Sequence, residues 1–510
     1  MRLRILTNRS GNILIMSIAA MFLVTAAMVG VLMITANALH LSDKQRDSAS
    51  AFNISESGLE AAGFYLKGLS IPPSGTAAFD PFGGAQALDV GTYQVTIYPA
   101  ATNATQFLKS FRIVSVGKAY GRTKTLELVL KQASFGKYAY FTDKETSSVS
   151  GGTIWWKAGE LVDGPVHSNN TGGANFSINY NGSTSPIFLD MVTGSGSSIS
   201  YNPSKPTKES TFTKIFKDGS KGFKLGVPTI ALPSSTDTQK NAAWGASSGF
   251  PSTNGVYLRA GTNGGLYVRG DCTMTLSVNA SGNQVMTIVQ GSNTTVVTYN
   301  KATQSISATG TLGSGSASSA SSLGTGVVYC TGNITALKGT VADNSYSGGK
   351  VTVASAMTIA NDVNAGKYMK IADNLVYKTR PDKTKAATDT VNLAAGTLGL
   401  VSKDIKISST APQNLEIDAV CLAGGQNTTD GSFYVENYSS KSPVGTLKVL
   451  GGIIQKARGP VGTFNSSTGQ TTYGYSKNYS YDPRLATNPP PFYPTTGTYQ
   501  RLSWQMLPNQ

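Results

Sequence analysis

The sequence predicts two parts of different class: an α+β N-terminal part, with one long helix and a small antiparallel sheet, and a mainly-β remainder. Residues 13–41 carry no charged side chain, which predicts a long apolar helix. Short alternating segments joined by Gly, Asn, Ser and Thr follow from residue 91 onward. Only 14% of the 510 residues are charged, against about 25% in ordinary soluble domains. This composition favours strands and turns, and a surface or exported protein over a cytosolic enzyme.

The first predicted element is the apolar helix. At about 1.5 Å per residue, roughly twenty residues from Ile13 span the ~30 Å hydrocarbon core of a bilayer. Arg2, Arg4 and Arg9 precede the apolar run, and Asp43 follows it. The positive-inside rule therefore predicts a single-pass segment with a cytoplasmic N-terminus and the bulk of the chain on the outer side.

Three interpretations of this helix are open. Ala36-Asn37-Ala38 fits the small-x-small cleavage site of a secretory signal peptide, although the apolar run is longer than the roughly 7–15 residues usual there. An uncleaved anchor is the second interpretation. In the third, residues 1–11 are a basic leader, and the helix continues beyond the membrane face.

The more polar half of the helix supports the third interpretation. No proline occurs between Gly11 and Ser70. Apolar side chains also recur at helical spacing along one face. This helix-packing seam consists of Phe52, Leu59, Ala62 and Leu66. It predicts one rod over residues 12–68 whose outer half packs on a small domain.

Residues 2–67 resemble the N-terminal segment of PilX-type minor pilins and related pseudopilins of type IV pili and type II secretion systems. The resemblance rests on the basic leader ending in Gly11, the apolar helix and the run AFNISESGLEAA. It implies cleavage by prepilin peptidase between Gly11 and Asn12, packing with other pilin-like subunits, and a bacterial inner-membrane location. Met16 departs from the pattern, because major pilins carry glutamate at the fifth residue after the glycine.

Residues 69–133 are expected to complete this pilin-like part. GTYQVTIYP, from residue 91, alternates apolar and polar side chains, and FRIVSVGKAYGRTKTLELVLKQ, from residue 111, reads as strand, turn and strand. A long helix followed by about three antiparallel strands is the pilin-like layout. In that layout the sheet covers the outer stripe of the helix.

Residues 134–473 are expected to form a large mainly-β domain. Many short strands recur at intervals of roughly 8–15 residues with turns between them. Such units bury their apolar faces by stacking, so a parallel β-helix or solenoid is favoured over a sandwich, which is the alternative. Residues 474–510 are rich in Tyr and Pro, and we expect an extended tail there.

One segment of the large domain combines aromatic and polar side chains that could bind a ligand: Trp155, Trp156, Asp163, His167 and Asn169. The alternative is a strand followed by a tight polar turn, with His167 bonded to nearby backbone. The segment resembles a G-x-V-H-S-N element of pilus-associated surface proteins, to which no chemistry is assigned.

Familiar catalytic patterns are missing from the sequence. It contains no nucleophile elbow, Walker loop, dinucleotide fingerprint or HExxH helix. Cys272, Cys330 and Cys421 form no CxxC pair. At most one disulfide could form among them outside the cytoplasm, and small buried side chains are the simpler expectation for Cys330 and Cys421. We therefore expect no metal, no soluble cofactor and no catalytic residues.

The sequence thus predicts a structural minor pilin-like protein whose β domain serves adhesion or assembly. Its partners would be the membrane and other pilin-like subunits, with a surface glycan or DNA as further candidates. The net charge of +15 is scattered singly, which favours a solvated surface over a DNA-binding stripe. The alternative is a membrane-tethered β-helix enzyme or binding module acting on polysaccharide. Such an enzyme needs neighbouring carboxylates, for which the candidates are Asp362, Asp373, Asp404 and Asp418.

Overall fold

The structure, a computed structural model, describes residues 9–508 except 70–71, 74, 105–107, 148, 150, 181–183, 260–263, 345–346, 358–365, 387 and 427–430. Most of the expected leader and the candidate carboxylate Asp362 lie outside the described residues. The chain divides into two compact units, Met1–Lys131 with Tyr499–Gln510, and Gln132–Thr498.

The first unit is built on one long helix. Helix α1 runs from Arg9 to Gly68 without a break, so it includes the candidate cleavage point between Gly11 and Asn12. Strands β1 (Gln86–Leu88), β2 (Gly91–Pro99), β3 (Ser110–Ala119) and β4 (Arg122–Ser134) follow. They pair antiparallel in sequence order. The alternating apolar side chains seen in the sequence line the side of β2 and β3 that is buried.

The second unit begins with short strands: β5 (Tyr140–Ser147), β6 (Leu161–Asp163), β7 (Val166–Ser168), β8 (Ser177–Asn179), β9 (Ile187–Phe188), β10 (Val192–Gly194), β11 (Ser200–Asn202) and β12 (Phe223–Leu225). Two short helices accompany them, α2 (Glu209–Ile215) and α3 (Asp237–Trp244).

An antiparallel region follows: β13 (Gly255–Leu258), β14 (Leu266–Arg269), β15 (Cys272–Val278), β16 (Gln284–Gln290), β17 (Asn293–Asn300), β18 (Ser305–Gly310) and β19 (Ser319–Ala320). Consecutive strands from β15 to β19 pair antiparallel. We call β15–β19 the excursion, because these strands lie in sequence between β14 and the later strand that pairs parallel with it.

The remaining strands are β20 (Val327–Cys330), β21 (Ile334–Val341), β22 (Lys350–Ser355), β23 (Tyr368–Tyr377), β24 (Thr397–Ser402), β25 (Asp404–Ile407), β26 (Leu415–Ala423), β27 (Phe433–Val435), β28 (Gly445–Arg458), β29 (Gly462–Phe464), β30 (Thr471–Tyr481) and β31 (Thr495–Leu507). Helices α4 (Thr390–Ala394) and α5 (Arg484–Thr487) lie among them. Residues 474–510, expected as an extended tail, thus form most of β30, α5 and β31. The tail is structured because Tyr475 and Tyr479 are buried in the core of the second unit, and β31 joins β4 as the fifth strand of the first unit's sheet.

Parallel pairing in the second unit joins strands that are distant in sequence. The first ladder runs β14-β20-β22-β24-β26-β28-β5-β7-β10-β12, and each neighbouring pair is parallel. Shorter parallel ladders run β15-β21-β23-β25-β27 and β26-β28-β30-β6-β9. The chain therefore enters the first ladder in its middle, at β5. From β5 it continues through β7 and β10 to β12, at one end of the ladder. It then enters the other end at β14 and continues through β20, β22, β24 and β26 to β28, which pairs with β5.

The registers of the first ladder align one apolar column, which we call the core column: Leu266, Val328, Val353, Leu400, Cys421, Ile453, Tyr140, Val166, Val192 and Phe223. All of these residues belong to, or pack against, one continuous buried cluster. Because side chains alternate along a strand, the neighbouring residues of the same strands face the opposite side. They form an outer column: Tyr267, Tyr329, Ala354, Val401, Leu422, Ile454, Phe141, His167 and Thr193.

Residues 226–245, which we call the return segment, cover part of the outer column, and residues such as Tyr138, Leu485 and Tyr493 pack in the same buried cluster. This segment connects β12 at one end of the first ladder to β13 and β14 at the other. Its hydrogen bonds step along the ladder, from Val227 N to Gly194 O (3.1 Å), then Thr236 Oγ1 to Ser355 O (3.1 Å). Gly265 N then donates to Ala243 O (2.9 Å). The ladder is consequently buried on both faces, as parallel sheets usually are.

Candidate functional site

The first half of α1 is the candidate membrane anchor. Within the described part of the chain, α1 is the one helix long and apolar enough to cross a membrane. Its apolar side chains face outward, with Ile13 68%, Phe22 74% and Leu32 67% exposed. The core helix of a soluble protein would bury such residues. This half of the helix is therefore compatible with single-pass anchoring in a bilayer.

The second half of α1 packs on the sheet of the first unit through the helix-packing seam. Leu59, Ala62 and Leu66 are buried in one apolar cluster with strand residues such as Phe111. Phe52 lies at the edge of this cluster, and its ring centroid is 6.0 Å from that of Trp504. One continuous helix thus combines an exposed apolar half with a half that belongs to a folded unit.

Close backbone approach holds the helix on strand β3. A Cβ atom at Gly117 would lie 2.4 Å from both the Ala51 carbonyl oxygen and the Ser55 amide nitrogen, so only glycine fits there. The Ser55 hydroxyl donates a hydrogen bond to the Ser115 carbonyl oxygen at 2.8 Å. This contact was not predicted, although the glycine within an alternating strand pattern is the signal that marks it.

In the second unit, His167 occupies the outer column of the first ladder. It lies in β7, between Val166 of the core column and Ser168. Its Nε2 lies 2.9 Å from Asn169 Oδ1, and its Nδ1 lies 2.8 Å from Thr193 Oγ1. The ring also packs against the Phe141 ring at a centroid distance of 5.0 Å. The sequence had suggested backbone partners for His167, but its partners are side chains.

The hydrogen bonds of Asn169 indicate that His167 Nε2 is a donor. Asn169 Nδ2 donates to the Ile230 carbonyl oxygen (2.7 Å) and to Asp143 Oδ1 (2.9 Å), while Oδ1 accepts from the Ile230 amide (2.9 Å). Asn169 Oδ1 is therefore an acceptor, so His167 Nε2 carries the proton. Burial lowers the pKa of His167, the bond to Asn169 opposes this, and the charge of Lys137 adds to the lowering. His167 thus binds Asn169, which in turn binds the return segment.

The two tryptophans lie apart from His167. Trp156 is fully buried within the core cluster, where its ring contacts those of Tyr140 (4.9 Å) and Phe188 (5.4 Å). Trp155 is partly exposed, and its carbonyl oxygen accepts a hydrogen bond from Lys477 Nζ at 3.2 Å. Trp156 therefore packs inside the ladder, whereas His167 lies on its outer face.

Two buried ion pairs surround Trp156. Arg458 Nη1 lies 2.8 Å from Glu145 Oε2, and Lys477 Nζ lies 2.9 Å from both carboxylate oxygens of Glu160. The Arg458 guanidinium stacks on the Trp156 ring at 4.6 Å. Burial lowers the pKa of Lys477 to about 8, while the charge of Glu160 opposes the shift. These pairs link β5 and its following loop to β28 and β30. The paired residues are 313 and 317 positions apart in the chain.

Asp163, also part of the predicted ligand patch, is the last residue of β6. It pairs with Lys383 Nζ at 2.6 Å in a partly exposed position. The backbone turns at the next residue, Gly164, whose φ is +147° and where a Cβ would lie 2.2 Å from Tyr481 Cβ. The structure brings His167 and Asn169 together but places Trp155, Trp156 and Asp163 elsewhere.

The described candidate carboxylates do not converge on one groove. Asp418 is buried, and Arg380 Nε donates to its Oδ2 at 2.7 Å. Asp404 accepts a hydrogen bond from the Ser432 amide (3.0 Å), and Asp373 accepts one from the adjacent Asn374 amide (2.7 Å). Across the described residues, no group of three or more His, Cys, Asp or Glu side chains could hold a metal ion.

Comparison with known proteins gives a partial match to one family. A family model described as a domain of unknown function (DUF4900) matches residues 92–197, a minor part of the chain that extends from β2 to just beyond β10. No curated protein matches the sequence. Among solved structures, the competence-associated pilin ComZ from Thermus thermophilus is similar over 90% of this chain and 97% of that chain, with 11% identity and a TM-score of 0.28. A TM-score this low does not establish a common fold.

Proposed function

We propose that this chain is a minor pilin-like component of a type IV pilus or a type II secretion-like system. The observation that carries the proposal is the dual character of α1. Its first half exposes apolar side chains along its length, and its second half packs through Leu59, Ala62 and Leu66 on an antiparallel sheet. A signal peptide or a plain anchor would not require a helix that continues unbroken into a folded unit.

The proposal includes the processing and orientation of the helix. The basic residues before Ile13 favour a cytoplasmic N-terminus, and Gly11 would be the last residue of a leader removed by prepilin peptidase. The apolar half would then remain in the mature protein, in the inner membrane or among the helices of other pilin-like subunits.

We also propose that the second unit is a parallel β-solenoid displayed outside the cytoplasm for adhesion or assembly. Three parallel ladders and one continuous core column support this architecture. A structural role is favoured over polysaccharide hydrolysis, because the buried acidic side chains Glu145, Glu160 and Asp418 are each paired with a cation. A surface glycan or DNA belongs to this proposal only as a candidate ligand of the solenoid.

The deciding experiment is N-terminal sequencing of the mature full-length protein from membranes. We expect a start at Asn12 with a methylated amine. Gly11→Leu should block this processing and leave Met1, because prepilin peptidase cuts after glycine in the family that residues 2–67 resemble. Ala38→Leu is the matched control, and the start at Asn12 should persist in it. A start at Leu39, lost in Ala38→Leu, would show ordinary secretion and overturn the proposal, as would an intact Met1 in the wild type.

A further inference from the structure

We propose that Cys272 and Cys330 form a disulfide bond in the exported protein, closing the base of the excursion. The two residues are 58 positions apart, yet their Sγ atoms lie 3.8 Å from each other. Cys272 is the first residue of β15, and Cys330 is the last residue of β20. The inference rests on the proposed function in one respect, because a stable disulfide requires delivery to an oxidising compartment.

Backbone geometry, rather than the two sulfurs themselves, brings the cysteines together. The corner after β14 and the corner after β20 are joined by hydrogen bonds from Thr331 N to Val268 O (2.9 Å) and from Cys272 N to Asn333 O (3.0 Å). Asp271 adds a two-point contact, since its carboxylate accepts from Asn333 N (2.7 Å) and from Asn333 Nδ2 (3.1 Å). The two corners are therefore held in register whether or not the sulfurs are bonded.

The sulfur atoms are close enough to bond with a small side-chain movement. A disulfide has an S–S length of about 2.05 Å, so the two Sγ atoms must approach by less than ~2 Å. In the structure, where the sulfurs are not bonded, the Cys330 thiol donates a hydrogen bond to the Gly270 carbonyl oxygen at 3.2 Å. That weak bond is easily given up, because a thiol is a poor hydrogen-bond donor.

The chemistry is a thiol–disulfide exchange with a protein disulfide or glutathione disulfide of the oxidising compartment. One cysteine thiolate attacks the oxidant's S–S bond, which forms a mixed disulfide and releases one oxidant thiol. The second cysteine attacks this mixed disulfide, forms the Cys272–Cys330 bond and releases the second oxidant thiol. The oxidant takes up two electrons and both protons. Since the two side chains are only 3% and 0% exposed in the folded unit, exchange occurs before the corners close.

Cys421 provides the internal control. It occupies the core column, in register with Leu400 on one side and Ile453 on the other. It is fully buried, and burial raises the pKa of its thiol far above the ordinary range. It therefore remains a thiol, which leaves one free cysteine of three.

The test is a thiol count on full-length protein, denatured in an alkylating reagent immediately after cell lysis. We expect one reactive thiol in the wild type and three after reduction. Cys421→Ala should show none before reduction, whereas Cys272→Ala and Cys330→Ala should each show two. Peptide mapping without reduction should recover the Cys272–Cys330 cross-link. A count of three in exported wild-type protein, or a cross-link that includes Cys421, would overturn the proposal.

A second measurement separates this inference from the proposed function. Protease added to intact spheroplasts reports whether the second unit is outside the cytoplasm in the same cells. Protein that is protected from the protease contradicts the proposed function. In that case, the purified full chain is refolded with glutathione disulfide, and peptide mapping without reduction shows whether the Cys272–Cys330 bond forms. In that sample a reductant should lower the Tm of the wild type and of Cys421→Ala by about 5 °C. The Cys272→Ala/Cys330→Ala variant should show no such reductant-dependent change.

Discussion

At the scale of single residues, polar side chains of the second unit act mainly in assembly of the fold. His167 binds Asn169 and Thr193, and Asn169 binds the return segment. Arg458 and Lys477 neutralise buried carboxylates beside Trp156. Removing one partner of such a buried pair costs roughly 3–5 kcal/mol, whereas replacing both by apolar groups is often neutral. Within the predicted ligand patch, His167, Asn169 and Asp163 have partners in the protein, and ligand binding there stays a prediction.

The lowered pKa of His167 makes a prediction about pH. Burial holds the folded-state pKa below the unfolded value, so the unfolded chain binds a proton first as the pH falls. Stability from this group is complete at neutral pH and declines as the pH falls through about 6.5, the unfolded pKa of histidine.

His167→Gln isolates this effect, since an amide of similar reach does not titrate. We expect the wild type to lose more unfolding free energy than His167→Gln between pH 7 and pH 5. Chemical denaturation at each pH measures the difference between the two proteins. Parallel loss in both would show that His167 does not carry the pH dependence.

At the scale of elements, α1 is one helix with two environments. Its outer half is held by the helix-packing seam and by the close approach of Gly117. Most of its inner half is exposed within this single chain. The stability of the first unit should therefore depend on the outer half alone.

Leu59→Ala tests this dependence. Leu59 is 2% exposed in the seam, and truncating a buried leucine costs about 2–5 kcal/mol. We expect that loss in the free energy of unfolding of the first unit. Hydrogen exchange of the β2 and β3 amides in detergent measures it. Glu60→Ala, at the exposed neighbouring position, should change stability by no more than about 0.5 kcal/mol. Equal effects of the two substitutions would contradict the packing role of the seam.

At the scale of the whole molecule, the sheet of the first unit takes its last strand from the far end of the sequence. β31 lies beside β4, and its Tyr499 ring packs 6.0 Å from that of Phe111. A chain that stops after Pro494 should lose amide protection in β4 and in the outer half of α1. Leu502→Ser is the control, because Leu502 is half exposed. Unchanged exchange in the shortened chain would show that the sheet is complete with four strands.

Sequence reasoning predicted what depends on local pattern. The uncharged run and the seam around Leu59 predicted α1, and alternation of side chains predicted β2–β4. It did not predict that β5 pairs with β28. These strands are far apart in the chain, as the Gln455–Tyr140 hydrogen bond over 315 positions shows, and no repeat in the sequence indicates such a pairing. It also grouped Trp156 with His167, since adjacency along the chain does not reveal which face of a ladder each side chain takes.

The entry of the chain at the middle of the first ladder has a consequence for biogenesis. A nascent chain crossing a membrane delivers β5, β7, β10 and β12 long before β28, the strand that completes their inner edge. Until Ile453 arrives opposite Tyr140, the early strands present an open, apolar edge of the kind that aggregates or is proteolysed. For the exported protein proposed above, folding should therefore require a holding chaperone, bound most strongly to chains arrested before residue 445.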